Sequence, residues 1–321
     1  MASSLSSSTP ALEWFARRSA RAEDYEVAAL AERKRTSGTS VSVVLPAREE
    51  AATIGEVVDA VCELADVLVD EIVVMDGGST DGTPDIAAAR GARVHQADMV
   101  LPQYGSSQGK GDSLWRSLAV TGGDIVVFLD ADLHNPDSRF VVGLLGPLLT
   151  QPSIHLVKAF YERPVKLGRV QHDTGGGRVT ELTARPLINM YWPELAGLVQ
   201  PLSGEYAARR PLLERIPFFT GYGVELGMLI DTLEALGADA IAQVDLSCRV
   251  HRNQSLPALS RMAFGILQVV AQRLHAEGRA DQPHSAKGPL EYLQFERRNG
   301  RVRAEPQAVS ILQRPPMSSL F

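Results

Sequence analysis

The sequence predicts an α/β fold with a mostly parallel central sheet, and three observations support this. From Thr39 onward, runs rich in β-branched residues alternate with amphipathic segments of helical length, the pattern of repeated strand–helix–strand units. The run IVVFLDADL (125–133) is almost wholly apolar until its end, as expected of a strand buried on both faces. Two carboxylates, Asp130 and Asp132, close that run, and a parallel sheet brings such residues to its carboxyl edge, where ligands bind.

Each predicted element follows from its own pattern. Residues 1–38 are Ser-rich and then strongly charged, with apolar residues at helical spacing, and they predict a helical arm. Residues 278–321, rich in Pro, Arg and Gln, predict a loosely ordered tail. Between them the predicted order is a strand at 41–47, a helix at 53–68, a strand at 71–78, a helix at 83–92, a strand at 125–133, a helix led by Pro136, a strand at 155–162, a Gly-rich break at 174–177, a long helix through Trp192, a helix at 224–236, a strand at 239–251 and a helix at 256–274.

Composition limits the classes of function. The chain has 321 residues, of which 45% are hydrophobic and 22% charged, so it can bury a sizeable core as one or two domains. Its net charge of −6 offers no basic field for nucleic acid or an anionic membrane. Cys62 and Cys248 form neither a metal-type spacing nor a disulfide framework, and no segment has the pattern of a signal peptide or a membrane span. We therefore expect a soluble, cytoplasmic protein that binds neither nucleic acid nor membrane.

Polar residues follow the first two strands of the sheet, where a ligand is expected. Pro46, Ala47 and Glu50 end the first strand, and Gly77 lies just after the second. Glu50 can accept a hydrogen bond from a base or ribose, and glycine lets the backbone approach a ligand closely. The acidic pair of the central strand can hold a divalent cation, which in turn neutralises a diphosphate. Two alternatives stay open: the acidic pair caps a loop, and the segment 76–81 is a turn that caps the next helix.

Lys110 lies between Gly109 and Gly111 at a predicted helix start. Its positive charge, added to the free backbone N–H groups of the first helical turn, suits the binding of a phosphate bridge. The spacing is not that of a P-loop, and a solvated surface lysine is the alternative.

The segment TGGGRVTEL (174–182) predicts a pocket for a small anion. Its glycines precede a helix, so unpaired N–H groups point outward beside the guanidinium group of Arg178. An acidic protein can hold a small anion only through such a concentrated local array. The alternative is a glycine hinge followed by an ordinary first helical turn that contains Thr180 and Glu181.

Segments spread from Val41 to Leu256 carry a family resemblance. They are VVLPA, LVDEIVVMDGGSTD, GKGDSLWRSLA, GDIVVFLDADL, GGGRVTEL, ARPL, QPLSGEYAA, GYGVELG and VHRN. The chain resembles the GT-A glycosyltransferases, which bind nucleoside-diphosphate sugars on a Rossmann-like fold. More narrowly, it resembles the retaining actinobacterial glucosyl-3-phosphoglycerate synthases and their mannosyl-3-phosphoglycerate synthase relatives. GGGRVTEL, PLSGEYA and GYGVE are not general features of sugar-nucleotide transferases, so the resemblance is specific.

The resemblance implies a role for each candidate residue. The nucleotide-binding residues that it implies are Pro46, Ala47, Glu50, Gly77, Lys110, Asp130 and Ala131. It implies Asp132 and His251 as ligands of Mg²⁺ or Mn²⁺, although His251 by itself also fits a hydrogen-bonded histidine at a strand end. The acceptor-binding residues that it implies are Gly177, Arg178, Thr180 and Asn253. The catalytic set is Glu225, Lys110 and Asp130, in which Glu225 orients sugar hydroxyls.

The resemblance also implies the reaction. A homodimer transfers glucose or mannose, with retention, from UDP-glucose, GDP-glucose or GDP-mannose to the 2-hydroxyl of 3-phosphoglycerate. The implied domains are a helical arm (1–38), a GT-A catalytic domain (39–256), and a C-terminal helix with an extended tail (257–321). The catalytic domain divides into a nucleotide-binding half (39–135) and an acceptor-binding half (136–256).

Two departures from the family pattern leave the donor open. Glu49 stands where relatives have Asn in PALNEE, and Gly77 stands where they have Ser in DSGSTD. The rival functions are an inverting family-2-like transferase for another acceptor, a sugar-phosphate nucleotidyltransferase and a non-catalytic sugar-nucleotide-binding protein. The first calls for a base carboxylate opposite the leaving group, and the second for a Gly-rich signature after the first strand; neither is evident.

Overall fold

The computed structural model describes residues 10–107, 109–162, 165–167, 170–172, 177–248, 254–281, 291–298, 301–309 and 311–320. The strands within them are β1 (Ser19–Arg21), β2 (Val41–Ala47), β3 (Glu71–Asp76), β4 (Arg93–Gln96), β5 (Ile125–Phe128), β6 (Leu156–Glu162), β7 (Val165–Leu167), β8 (Val170–His172), β9 (Tyr206–Arg209), β10 (Phe218–Phe219), β11 (Ile241–Cys248), β12 (Glu291–Arg298), β13 (Arg301–Ala308) and β14 (Gln313–Arg314). The α-helices are α1 (Pro10–Arg18), α2 (Val27–Ser37), α3 (Ile54–Cys62), α4 (Thr83–Ala89), α5 (Lys110–Ser117), α6 (Arg139–Thr150), α7 (Arg185–Tyr191), α8 (Arg210–Arg215), α9 (Val224–Leu236) and α10 (Leu256–Ala276).

The described strands form one large sheet in the order β1-β11-β6-β9-β5-β2-β3-β4. β9 runs antiparallel to both of its neighbours, and the other pairs are parallel. The prediction of a mostly parallel sheet is therefore confirmed. The antiparallel strand was not predicted, because its four residues, YAAR, carry no periodic pattern of useful length.

Both faces of this sheet are buried. Val43 and Leu45 of β2 belong to an apolar cluster completed by α3 and α6, whereas Val44 belongs to the cluster on the other face, completed by α5, α9 and α10. All three side chains are 0% exposed. Full burial of such a side chain contributes about 1.5–3 kcal/mol relative to exposure. This explains why the predicted strands read as continuous apolar runs.

The N-terminal arm contains a β-strand as well as helices. The indole of Trp14 in α1 is buried and donates a hydrogen bond from Nε1 to the carbonyl oxygen of Ala238, at 2.9 Å. β1 then pairs in parallel with β11 and becomes the outermost strand of the sheet. The prediction of helices is right for α1 and α2, and it misses β1. The domain boundaries given above stay a prediction.

The C-terminal tail differs from its predicted loose order. β12 and β13 form an antiparallel hairpin, and β14 pairs with β10 in the middle of the chain. Met317 is buried, at 3% exposure. The composition of the tail suggested looseness, but Arg314 is held in the interior by an acidic partner that lies 202 residues away in sequence.

Several element ends differ from the predictions. The helix predicted at 53–68 ends at Cys62, and a turn with a left-handed residue, Asp66 (φ 60°), follows it. The strand predicted at 125–133 keeps its pairing only to Phe128, so the two aspartates lie in the following turn. Cys62 is half-buried against the core. Within the described part of the chain, no helix is both long and apolar enough to cross a membrane.

Candidate active site

A cavity of about 700 Å³ lies at the carboxyl edge of β2, β3 and β5. The predicted site residues that line it are Pro46, Ala47, Glu50, Gly77, Lys110, Asp130, Ala131, Asp132, Gly177, Arg178, Thr180 and Glu225. The structure thus brings together every predicted site residue that it describes, and the roles assigned to them stay predictions. His251 and Asn253 lie outside the described residues, but Gln254, which follows them in sequence, lines the same cavity.

Three charged side chains meet in the floor of the cavity. The ammonium nitrogen of Lys110 lies 2.5 Å from Asp130 Oδ1 and 3.0 Å from Glu225 Oε1. Burial disfavours the charged form of Lys110, but the two carboxylates outweigh it and hold the pKa of Lys110 well above its usual value. The lysine is therefore an ammonium ion at neutral pH, available to an anionic ligand.

Local backbone geometry fixes this group. Gly109 has φ 82°, a left-handed value that glycine adopts without strain, and α5 begins directly after it. A β-carbon on Gly111 would lie 2.0 Å from the carbonyl oxygen of Phe219, so only glycine lets the first turn of α5 approach β10. β10 leads through a short 3₁₀ turn into α9, which carries Glu225 in its first turn.

The end of the cavity that is predicted to hold the nucleotide is formed by the loops after β2 and β3. The amide of Gly77 donates to the carbonyl oxygen of Ala47 at 2.8 Å, which joins the two strand ends. Glu49 (φ 57°) accepts a hydrogen bond from the amide of Thr80 at 2.8 Å, and it is not among the described residues that line the cavity. The Glu49 side chain therefore stabilises the loop after β3 and does not line the cavity.

Arg48 lines the same end of the cavity, and the sequence analysis assigned it no role. A β-carbon on Gly77 would lie 3.4 Å from Cβ and 3.6 Å from Cδ of Arg48, so the arginine stem lies across the glycine. A β-carbon at position 77 would be in ordinary van der Waals contact with this side chain, so the two positions are neighbours. The signal was present, since Arg48 directly follows the strand that ends in Pro46 and Ala47.

The end of the cavity that is predicted to hold the acceptor is formed by the start of a helix and by Gln254, which follows β11 in sequence. Gly177 has a left-handed φ of 75°, and the helix begins at the next residue. Arg178 is exposed and donates from Nη2 to the carbonyl oxygen of Gln254 at 3.0 Å. Thr180 is buried, at 3% exposure, and it opens a π-helical turn, a feature frequent at functional sites. A guanidinium group beside a helix start suits an anion.

A second layer of polar groups lies beneath the floor, and sequence reasoning missed it. Lys158, only 2% exposed, donates from Nζ to the carbonyl oxygen of Ser203 at 2.6 Å and lies 4.3 Å from the ring centre of Tyr206. Burial lowers the pKa of Lys158 to about 7, although Glu225 opposes this. Tyr206 is fully buried, and burial, then Glu225, raises the pKa of its hydroxyl well above the usual value. A lone lysine in an apolar strand was the available signal.

The site fits a divalent cation in part. Asp132 follows β5 and lines the cavity, two residues from Asp130. Among the described residues, no three His, Cys, Asp or Glu side chains cluster as a metal site. Mg²⁺ is usually held by one or two carboxylates together with phosphates of the substrate, which needs no larger protein cluster. His251, the other predicted ligand, lies outside the described residues.

Together, the sheet, the acidic pair at its carboxyl edge and the lysine and arginine across one cavity define a nucleotide-sugar glycosyltransferase of the GT-A type. Residues 42–203 match the family model described as glycosyl transferase family 2. Glucosyl-3-phosphoglycerate synthase of Mycolicibacterium paratuberculosis is 47% identical over 97% of this chain and 93% of its own. The Mycobacterium tuberculosis enzyme of the same name is 50% identical over 88% of this chain and 86% of its own.

Two solved structures extend the comparison. Mannosyl-3-phosphoglycerate synthase from Rubrobacter xylanophilus matches with a TM-score of 0.89 and 42% identity, over 97% of this chain and 98% of that one. Glucosyl-3-phosphoglycerate synthase from Mycobacterium tuberculosis, in complex with Mn²⁺, UDP-glucose and phosphoglyceric acid, matches with a TM-score of 0.81 and 46% identity, over 92% and 96%. The chain belongs to glycosyl transferase family 2 and, within it, to the family of the glucosyl- and mannosyl-3-phosphoglycerate synthases.

Proposed function

We propose that this protein transfers a hexosyl group from a nucleoside-diphosphate hexose to the 2-hydroxyl of 3-phosphoglycerate, with retention of configuration. The product is glucosyl- or mannosyl-3-phosphoglycerate. The observation that carries the proposal is the cavity that holds the Lys110–Asp130–Glu225 cluster at its floor and Arg178 at its other end. The relatives solved with UDP-glucose and phosphoglyceric acid, or with UDP and glucosyl-3-phosphoglycerate, support it.

In the proposed complex the donor lies along the strand ends. Pro46, Ala47, Glu50 and Gly77 would face the nucleoside, since they line the cavity where β2 and β3 end. Lys110 would face the diphosphate. Ala131, between the two aspartates, is held by a hydrogen bond from the hydroxyl of Thr53 to its carbonyl oxygen at 2.7 Å, which keeps the acidic turn in place.

A divalent cation would be held by Asp132 and His251, and it supplies positive charge beside the leaving diphosphate. Relatives have been solved with Mn²⁺ or with Mg²⁺ together with UDP, which supports this part of the proposal. Removal of divalent cations with EDTA should abolish transfer, and Mg²⁺ or Mn²⁺ should restore it. Transfer that persists in EDTA would remove the metal from the proposal.

The chain's own residues contribute positioning and charge stabilisation. Retention requires the acceptor hydroxyl to attack the face that the diphosphate leaves, so a departing phosphate oxygen can take its proton. Lys110 stabilises the charge that grows on that oxygen. Glu225 is 6% exposed and already paired with Lys110, which suits the orientation of sugar hydroxyls better than nucleophilic attack.

The acceptor would be held at the opposite end by Gly177, Arg178, Thr180 and Asn253. 3-Phosphoglycerate carries a phosphate and a carboxylate, and a guanidinium group binds either one through two parallel hydrogen bonds. A helix start adds backbone N–H groups to the same anion. The complex of a relative with phosphoglyceric acid alone supports an acceptor site that forms without the donor.

The decisive experiment is a donor panel. UDP-glucose, GDP-glucose and GDP-mannose are each supplied with 3-phosphoglycerate and Mg²⁺ or Mn²⁺, and release of nucleoside diphosphate is measured with and without the acceptor. We expect acceptor-dependent release with at least one donor, and an α-linked product by NMR. Equal release with and without the acceptor would favour a binding protein, and a β-linked product would favour an inverting transferase.

We also propose that the protein is a cytoplasmic homodimer. The donor and the acceptor are highly charged metabolites, which supports the cytoplasm. Leu256 and Leu267 of α10 are exposed, at 71% and 45%, and an interface on this helix would cover them. Light scattering at micromolar concentration tests this assembly, and a monomeric mass would contradict it.

A further inference from the structure

One arginine, Arg314, joins the C-terminal segment 311–320 to α5, the helix that begins at Lys110. Arg314 donates from Nε to Asp112 Oδ1 and from Nη2 to Asp112 Oδ2, both at 2.8 Å. The two side chains are 9% and 0% exposed. The guanidinium carbon also lies 5.6 Å from the ring centre of Trp115 and 5.7 Å from that of Tyr104. This is a bidentate ion pair packed against two aromatic rings that contact each other, and its acidic partner belongs to α5.

The same segment is bonded to β10 and to the residue that follows it. Arg314 pairs with Phe218 across the two strands. The amide of Thr220 donates to the carbonyl oxygen of Leu312 at 2.9 Å, and the amide of Leu312 donates to the hydroxyl of Thr220 at 3.0 Å. On the α5 side, the indole of Trp115 donates to the carbonyl oxygen of Pro315 at 2.9 Å. The segment therefore bridges α5 and β10.

α5 and β10 lead to the two partners of the catalytic cluster. Lys110 is the first residue of α5, and Glu225 lies in the first turn of α9, six residues after the end of β10. Their charged atoms are 3.0 Å apart. The separation of α5 from β10 is already minimal, because a β-carbon on Gly111 would lie 2.0 Å from Phe219 oxygen. A small shift of either element therefore changes the Lys110–Glu225 pair.

We propose that Arg314 is a positioning residue for the transfer reaction. By holding Asp112 of α5 while its own backbone pairs with β10, it fixes the distance between Lys110 and Glu225. This inference rests on the proposed function, since it assigns the effect to hexosyl transfer. Arg314 is not among the described residues that line the cavity, so its contribution should appear in the chemical step and not in ground-state binding.

The physical reason for an arginine here is geometric. Asp112 is already paired with Arg116 on the same helix, so a second arginine is not needed merely to neutralise its buried charge. The planar guanidinium fork fixes both the distance and the orientation of its partner, which a lysine cannot do. The C-terminal segment thus fixes the position of α5 relative to β10.

The test is the single variant Arg314→Met. Asp112 keeps an ionic partner in this variant, because Arg116 Nε lies 3.4 Å from Asp112 Oδ1 and both side chains are 0% exposed. The protein is therefore expected to fold, as checked by circular dichroism and thermal unfolding. We expect kcat to fall about 10- to 100-fold, the size of effect that a 1 Å misplacement can cause. KM for donor and for acceptor should stay within about threefold.

Two further variants make the result specific. Trp115→Phe keeps an aromatic ring but removes the indole N–H that donates to the carbonyl oxygen of Pro315. It should also lower kcat, by a smaller factor. Arg210→Met is the matched control. Arg210 is 14% exposed and donates from Nε to Gly123 oxygen at 2.6 Å, next to the amino end of β5, away from the cavity. Its loss should lower stability and leave kcat of the folded enzyme unchanged.

The outcomes separate this inference from the proposed function. If the wild-type chain transfers and the folded Arg314→Met variant has the same kcat, the positioning role alone is overturned. A fall in kcat that Arg210→Met reproduces equally also overturns it, because the effect would then follow general destabilisation. Failure of the wild-type chain to transfer to 3-phosphoglycerate with any donor overturns both the proposed function and the inference. The Arg314→Lys variant should also have a lowered kcat. A kcat equal to that of the wild type would contradict the need for the guanidinium fork.

Discussion

The carboxylate of Asp130 lies against the backbone of Gly204, so close that a β-carbon at position 204 would fall 2.1 Å from Asp130 Oδ2. Gly204 itself lines the cavity, between Ser203 and the buried Glu205. Because Asp130 is the partner of Lys110, the glycine leaves the space in which the catalytic cluster assembles.

Gly204→Ala should therefore displace Asp130 and lower kcat at least about tenfold. Overpacking of a dense site should also cost about 1–3 kcal/mol of unfolding free energy, measured by urea denaturation. Gly122→Ala is the control, since a β-carbon there meets nothing within 4 Å. Full activity of the Gly204 variant would show that Asp130 can move without consequence.

Glu225→Gln should reduce turnover and leave donor affinity largely intact. The amide keeps the shape of the side chain but loses the charge that pairs with Lys110 at 3.0 Å. Loss of one preorganised group of this kind costs about 100- to 1000-fold in kcat. Steady-state kinetics give kcat, and calorimetric titration with the donor gives Kd. Unchanged turnover would remove Glu225 from the mechanism.

Arg178→Met should raise KM for 3-phosphoglycerate about 10- to 100-fold, because a charge-assisted hydrogen bond contributes roughly 1.5–3 kcal/mol. Arg178 is exposed and lines the acceptor end of the cavity. KM for the donor, which binds at the strand ends, serves as the internal control. An equal change in both KM values would mean that the variant distorts the whole cavity.

Arg48→Leu should change the choice of donor base. Guanine presents two adjacent acceptors to a guanidinium fork, whereas uracil presents a single carbonyl oxygen there, and a bidentate pair is worth about 1–3 kcal/mol of discrimination. We expect the ratio of kcat/KM for GDP-glucose over UDP-glucose to fall about tenfold in the variant. An unchanged ratio would exclude base reading by Arg48.

Lys158→Met should change how stability depends on pH. Burial lowers the pKa of Lys158 to about 7 from the ordinary value of 10.5, so between these limits the unfolded chain binds more protons than the folded one. The lysine's contribution to stability therefore rises as pH increases from 7 towards 10.5, and its full cost is present below pH 7. In urea unfolding, the variant should gain stability relative to the wild type at pH 6.5 and lose that advantage by pH 9.5. A difference independent of pH would contradict the shift.

The sequence was sufficient to predict that the described candidate residues lie around one cavity, because local rules place them at the same edge of the sheet. An apolar strand followed by Asp130 and Asp132 fixes where the sheet edge lies, and residues after neighbouring strands must meet there. Pro46, Gly77 and Lys110 were found in this way, and the motifs of the second half supplied the acceptor end. The metal assignment of His251 lies outside the described residues and stays a prediction.

What the sequence could not supply depends on distant pairing. The partner of Asp112 is Arg314, and no local pattern joins residues so far apart. β1 pairs with β11 through only three residues, too few for a periodic signal. The buried contact of Lys158 could in principle have been predicted, because a charged residue inside an apolar strand must find a buried partner.

The two outer strands of the large sheet have a consequence for the behaviour of the protein in concentrated solution. β1 covers the flank of β11 with three residues, and β4, at the opposite flank, has four. Short terminal strands that carry arginine at Arg21 and Arg93 make poor templates for another chain to join by backbone hydrogen bonding. Both edges of the sheet are therefore poor sites for another chain to extend it into a filament.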